Sequence, residues 1–423
     1  MKYETLTKNC NAFLDETMNL NDLPGLAIGV SIGAAAEFVG VRGYRDYSAR
    51  APLSEDDIFH CASVSKLFTS SAIMKQVEAG VLDLNARLCD ILPGLPIADT
   101  RFKEIRLWNM LTHTSGLGDV EDYHWYDFET DDDSLRRYIY EHEEVLSQPM
   151  LWEPQEVRFR YSNIAYEILG QIVSEYSVHM PDAARISDDA HMPGDAASTP
   201  GAVGAATLLS YEDFIARYLL KPAGMTSSKM KTFERPGAPD FASNEHMARP
   251  HEKKPDRSIG PVRFYPYTRQ HAPSSTLTSN VRDLLQWGRA HLASARGGAS
   301  APGGELTSAP GDNRTDVSSG KTTPPLRPET YRKIWHPYAI VQNNGEQMGL
   351  GWFMREQTVT ADDGTSRTYR LCGHEGTDDG FRASFWICPE LDLVSVVLSN
   401  LSGAPVKRIN KKLFDRIIRT CAL

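Results

Sequence analysis

The 423-residue chain is poor in the features that mark several protein classes. No stretch approaches the roughly 20 apolar residues of a membrane-spanning helix. The opening MKYETLTKNC lacks the apolar segment of a secretory signal, so a cytoplasmic protein is expected, with no membrane partner. Basic residues are in deficit, 45 Lys and Arg against 55 Asp and Glu for a net charge of −10, and no Lys/Arg block is long enough to track a phosphate backbone. Nucleic acid is therefore excluded as a partner. The six cysteines show no C-x-x-C spacing, which argues against a zinc site and a disulfide framework and for reduced thiols. The 12 histidines include no H-E-x-x-H or similar ligand spacing, so neither metal nor cofactor is expected. Cys421 has two residues after it, which does not meet the prenylation pattern. No internal repeat is visible.

What the chain does have is a 41% hydrophobic, 24% charged composition, ordinary for a globular protein with a sizeable core. Near the start, 25–33 (GLAIGVSIG) and 37–43 (EFVGVRG) read as a β-hairpin. Near the end, 349–353, 369–372, 383–387 and 393–398 are further strand candidates, and a last segment from Val406 places Ile409, Leu413 and Ile417 at helical spacing. Its basic residues (Lys407, Arg408, Lys411, Lys412, Arg416, Arg419) read as a solvated face. We expect the two ends to share one antiparallel sheet. Between them, 63–79, 161–176, 211–220 and 281–292 read as helices. The expected organisation is a sheet subdomain from 1–60 and 329–423, and a mainly helical subdomain at 61–295 with an insertion at 177–206. Residues 296–328, rich in Gly, Ser, Thr and Pro, form a surface excursion with almost nothing to bury, expected to be poorly ordered.

Ser63-Val64-Ser65-Lys66 opens the first of these helices, and residues three apart share a helix face, so the Ser63 hydroxyl meets the Lys66 amine. That is a nucleophile beside a base: a desolvated lysine sheds its proton near neutral pH and can accept the serine proton. The S-x-x-K spacing alone is weak, because it recurs at Ser228/Lys231 and at Ser318/Lys321. Ser63 is singled out by its company, Tyr161-Ser162-Asn163 at the start of another helix and His374-Glu375-Gly376 beside a late strand.

In these motifs and their order the chain resembles the serine β-lactamase and penicillin-binding-protein superfamily. The likeness is to the class C-like group with its D-Ala-D-Ala carboxypeptidases, D-amino-acid amidases and family VIII esterases. Residues 111–117 (LTHTSGL), 221–225 (KPAGM), 349–352 (GLGW), 373–376 (GHEG) and Gly380-Phe381 support it, and only the two excursions fall outside. The resemblance implies an α/β (α+β) β-lactamase/transpeptidase-like fold, an antiparallel sheet flanked by terminal helices plus a mainly helical subdomain. It implies Ser63 as acylated nucleophile, Lys66 as base and Tyr161 as proton relay. Asn163 becomes a hydrogen-bond donor that holds Lys66 and the acyl-side amide of the substrate, and the backbone N–H groups of Ser63 and Thr377, which follows Gly376, form the oxyanion hole. His374 stands where β-lactamases carry a lysine. A largely neutral imidazole with the acidic Glu375 beside it is a poor site for the carboxylate of a β-lactam, so ester or amide hydrolysis is favoured, with Arg382 as the alternative carboxylate-binding cation.

His113 reads as a loop anchor and Cys61 as a packed apolar residue. Residues 119–144 mix acids with Tyr123, Trp125, Tyr126 and Phe128, either an aromatic wall at the site mouth with an acidic rim or a solvated acidic loop. The expected function is hydrolysis of a small-molecule ester or amide through an acyl-Ser63 intermediate. Acyl transfer from the same intermediate and a non-catalytic structural or sensor role are the alternatives. A cell-wall carboxypeptidase is disfavoured, because no export signal is visible.

Overall fold

The computed structural model describes residues 3–421 except 34–35, 128, 130, 182–207, 233–245, 298–323, 343–344 and 362. Its strands are β1 (Gly25–Ile32), β2 (Ala36–Asp46), β3 (Ala51–Pro52), β4 (Phe59–His60), β5 (His251–Lys253), β6 (Ile259–Pro261), β7 (Thr278–Ser279), β8 (Ala339–Ile340), β9 (Gln347–Met348), β10 (Phe353–Thr360), β11 (Ser366–Asp378), β12 (Phe381–Cys388) and β13 (Leu393–Ser399). Nine of them form one sheet in the order β3-β2-β1-β13-β12-β11-β10-β9-β8. The chain ends meet at its centre, where β1 pairs antiparallel with β13 from Leu26↔Ser399 to Ile32↔Leu393.

Both faces of the sheet are covered, so its strands are apolar on both sides. Leu26, Ile28 and Val30, with Leu393 and Val397, pack under the terminal helices Tyr3–Asn21 and Val406–Cys421. Val394, Val396 and Leu398 face the helix Val281–Gly297 and the helical layer beyond. The basic side of the C-terminal helix is not simply solvated: Arg416 pairs with Glu16 at 2.5 Å and Lys407 with Glu346 at 2.6 Å.

At the centre of the helical layer lies Ser65–Glu78, buried on nearly every side. Its polar side chains are satisfied by backbone: Thr69 Oγ1 donates to the Pro273 carbonyl at 2.6 Å and Ser70 Oγ to the Leu350 carbonyl at 2.6 Å. The helix Asn163–Glu175 packs against it, capped by Ser162, whose Oγ accepts from the Ala165 N–H at 3.1 Å.

Two further expectations change. Residues 349–352 are a turn, because Gly351 has φ +81° and its N–H goes to the Leu111 carbonyl at 3.0 Å; the strand begins at Phe353. The 296–328 excursion is packed at its end. Leu326 is buried, its carbonyl accepts from Ser294 Oγ, and the Pro325 carbonyl accepts from Lys75 Nζ at 3.1 Å. The rest of that excursion, and of the 177–206 insertion beyond Pro181, lies outside the described residues, as does the Ser318/Lys321 pair.

Candidate active site

Ser63 sits in a single 3-10 turn, Ala62–Val64, just ahead of the helix Ser65–Glu78 rather than inside it. The turn is tight, with Ala62 at φ +49°, and leaves Ser63 partly exposed. Lys66, one turn on, is fully buried. Its ammonium spends its three donors on Ser63 Oγ at 3.2 Å, Asn163 Oδ1 at 2.6 Å and the Ser274 carbonyl at 2.9 Å. Burial lowers its pKa to about 8, with Glu167, Asp119 and Asp378 pulling the other way. Near neutral pH a useful fraction is the free amine.

Tyr161 lies immediately before the Ser162 cap. Its hydroxyl is hydrogen-bonded to Ser63, its ring is 4.9 Å from Lys66 Nζ, and the His113 ring stacks on it at 4.4 Å. Burial pushes the phenol well above its usual pKa, so it stays protonated and can pass protons but not act as a standing base. His113 is buried and held neutral by burial and by Lys66. Its Nδ1 accepts from the Ser162 N–H at 3.1 Å, fixing the turn that presents Tyr161.

Asn163 meets Lys66 with its carbonyl oxygen, as an acceptor and not the expected donor, because an ammonium can only donate. Its amide is oriented by Asp119, whose Oδ1 accepts from both Asn163 Nδ2 at 2.8 Å and Asn163 N at 2.7 Å. The acidic loop is thus divided: Asp119 is turned into the site, and Glu121 and Asp122 are exposed. Tyr123 and Trp125 stack at 4.7 Å against the buried His271, while Tyr126 is outside and Phe128 lies beyond the described residues.

Strand β11 closes the other side. A Cβ on Gly376 would lie 2.2 Å from the Cys61 carbonyl oxygen, so only glycine lets this strand run against the Ser63 turn and bring the exposed Thr377 beside it. Asp378 Oδ2 accepts from Ser275 Oγ and is 2.7 Å from His60 Nε2, tying the end of β11 to the strand before the nucleophile. Cys61 is buried, with its thiol pushed up by burial, and is a packing residue.

His374 faces Tyr161 and Phe353, with ring centroids 6.2 and 5.0 Å away. It is 2% exposed, its Nδ1 is 2.6 Å from the Glu375 carbonyl, and burial together with Lys66 holds its pKa at about 3. The position carries no cation near neutral pH. Glu375 is not beside it in the site: neighbours on a strand point to opposite faces. Its carboxylate lies on the terminal-helix side, where Trp386 Nε1 donates to Oε1 at 2.7 Å and Arg355 is 3.6 Å away. Arg382 is engaged as well, its Nη1 donating to the carbonyls of Asp378 at 2.6 Å and Phe381 at 2.7 Å. The other S-x-x-K pair is no dyad: Ser228 bonds Asp283 at 2.7 Å, and Lys231 bonds Asp132 at 3.1 Å.

The family model described as Beta-lactamase matches residues 11–185 and 200–418, nearly the whole chain. The chain belongs to the beta-lactamase family. The family joins serine β-lactamases and penicillin-binding proteins. Among curated relatives, Penicillin-binding protein 4 of Amycolatopsis lactamdurans is 30% identical over 157 residues, 36% of this chain and 38% of that protein. The Beta-lactamase of Yersinia enterocolitica is 27% identical over 167 residues, 40% of each. These matches span about two fifths of the relatives' length. Among solved structures, the class C beta lactamase from Rhodobacter sphaeroides superposes with a TM-score of 0.63 at 19% identity, covering 97% of this chain and 99% of that one. A D-stereospecific amidohydrolase from Streptomyces sp. gives 0.63 at 13% identity, covering 100% of both. These likenesses establish the β-lactamase fold. Among the described residues, no cluster of His, Cys, Asp and Glu is placed to hold a metal ion, and no helix is long and apolar enough to cross a membrane.

Residues that the motifs did not point to are Asp119, Glu167, Ser274 and Asp378. Asp119 carries a faint signal, two residues past the LTHTSGL segment, and Glu167 stands four residues after Asn163 on one helix face; Ser274 and Asp378 are brought in by folding alone.

Proposed function

We propose that the protein hydrolyses small-molecule esters or amides through an acyl-Ser63 intermediate. The observation that carries this reading is Lys66: an amine wholly buried, brought down to about 8, with Nζ 3.2 Å from the hydroxyl of a partly exposed serine. In the first half-reaction Ser63 Oγ attacks the substrate carbonyl while its proton passes to Lys66, and the N–H groups of Ser63 and Thr377 take the developing oxyanion. Tyr161, protonated and hydrogen-bonded to Ser63, hands a proton to the departing alcohol or amine and is refilled from Lys66. Water then enters where the leaving group stood, gives its proton back along the same path, and releases the acid. Asn163 keeps one Nδ2 hydrogen for the acyl side of the substrate, the other being committed to Asp119.

The neutral His374, with Arg382 engaged at backbone carbonyls, favours acyl donors without a carboxylate over β-lactams. The amidohydrolase among the structural neighbours is in keeping with an amide or ester substrate. A scaffold has no need of a buried lysine and a tyrosine converging on one serine. The reading is tested by turnover of short p-nitrophenyl esters, which Ser63→Ala abolishes if it is right and leaves largely intact if it is wrong.

A further inference from the structure

The helix that supplies Asn163 carries a second polar side chain on the face that meets Lys66. Glu167 follows four residues later, on the same helix face, and is fully buried. Its Oε1 accepts hydrogen bonds from Ser274 Oγ and from His271 Nδ1, the latter at 3.1 Å, while its Oε2 has no hydrogen-bond partner. The Ser274 carbonyl in turn accepts from Lys66 Nζ at 2.9 Å. One residue of the short helix Ala272–Ser275 therefore touches both groups, Lys66 through its backbone and Glu167 through its side chain.

A carboxylate removed wholly from water costs several kcal/mol unless an opposite charge and hydrogen bonds compensate it. The surrounding helix faces are otherwise packed with Ile164, Ile168, Leu169 and Ile172, where an apolar residue would serve. What an apolar residue would not supply is a charge facing the ammonium and an anchor for Ser274. We infer that Glu167 is a positioning residue for Lys66: it holds, through Ser274, the carbonyl to which the ammonium donates, and it sets a negative charge opposite the amine. This rests on the acyl-enzyme reading, in which Lys66 takes the Ser63 proton.

Glu167 does not act alone on Lys66. Asp119 faces it from the loop after Gly118, Asp378 and His374 from β11, and His113 from the LTHTSGL turn; the Tyr161 and Tyr166 rings lie 4.9 and 5.4 Å from Nζ. Among the carboxylates Glu167 leads in keeping the amine protonated. Its removal moves the pH at which Lys66 becomes the free base, which a purely structural role does not.

The experiment measures the second-order rate of Ser63 labelling by a fluorophosphonate, from about pH 5.5 to 9.5, in wild type, Glu167→Gln and Glu167→Asp. Wild type should rise to a plateau with a midpoint near the Lys66 value of about 8. Glu167→Gln should lower the midpoint by about one unit, so that the rate at pH 7 grows from about a tenth to about a half of its own plateau. The plateau itself should change little, because the glutamine amide oxygen can still accept from Ser274 Oγ. Glu167→Asp keeps the charge but draws it back by one methylene, and its midpoint should lie between the two; it reads the same quantity should Glu167→Gln not fold. Midpoints that coincide with wild type in the folded variants overturn the inference, whatever happens to the plateau. A wild-type chain that takes no label overturns the acyl-enzyme reading, and the inference with it.

Discussion

Selectivity between neutral esters and β-lactams follows from the charge at position 374, and it can be worked from the structure. With its pKa held at about 3 by burial and by Lys66, His374 is neutral at pH 7.5. A substrate carboxylate therefore meets no cation there, and Asp119, Glu167 and Asp378 act on the buried ammonium of Lys66. A fixed cation about 6 Å from a carboxylate, at an effective dielectric constant of about 20, is worth about 2.8 kcal/mol, or about a hundredfold in rate. We predict that kcat/KM for p-nitrophenyl butyrate exceeds that for nitrocefin by at least about a hundredfold. His374→Lys should close part of this gap, by roughly tenfold, since desolvation and repulsion from Lys66 consume much of the gain. Glu375 does not blunt the change, because it lies across the sheet with Trp386 and Arg355. The gain should shrink when salt is raised from about 0.05 to 0.5 M. Comparable rates on the two substrates in wild type, or a His374→Lys protein with unchanged selectivity, would refute the reasoning.

Three further perturbations follow from packing and titration. Gly376→Ala places a methyl 2.2 Å from the Cys61 carbonyl and must push β11 off the nucleophile turn; we expect kcat to fall by more than about a hundredfold with a stability loss of about 1–3 kcal/mol, and an alanine variant within threefold of wild type would contradict this. His291 and His374 are held at about 3, below the ordinary 6.5, so the unfolded chain binds protons first as pH falls and stability is lost from about pH 6.5 downward. At pH 5 each costs about 2 kcal/mol and His113, also held well below 6.5, adds to the loss; urea unfolding should register it and His291→Phe should remove about 2 kcal/mol of it, whereas a flat profile between pH 7 and 5 would count against it. Leu326→Ala should cost about 2–4 kcal/mol, whereas replacing 298–323 by a short linker should cost less than about 1; the reverse order would show that the packing at 324–328 has been misjudged.

Much of the site was legible because its chemistry sits in short spacings. Ser63 with Lys66 and Tyr161 with Asn163 lie at helix starts, where a three-residue offset shares a face and the residue just before a cap is presented to the same site, and the near-continuous apolar runs of β12 and β13 announce a sheet buried on both sides. The groups that set the behaviour of Lys66 are of another kind. Ser274 is 208 residues from Lys66 in sequence and contributes a backbone carbonyl, which no residue type reveals. Asp119 and Asp378 look like ordinary surface acids until the fold turns them inward. The place of Glu375 is legible in the sequence, since the period of a strand sends it to the face opposite His374 and away from the site. Leu326 was hidden differently: one apolar side chain in a run of Gly, Ser, Thr and Pro hardly alters the composition, yet it fills a place in the core.

The central claim is that Ser63 is acylated. Intact-mass measurement after exposure to a fluorophosphonate, in wild type and in Ser63→Ala, tests it without knowledge of the natural substrate. One adduct mass on the wild-type chain, mapped by peptide digestion to Ser63 and missing from Ser63→Ala, is the predicted result. An unlabelled wild-type chain, or an adduct that persists in Ser63→Ala, would contradict it.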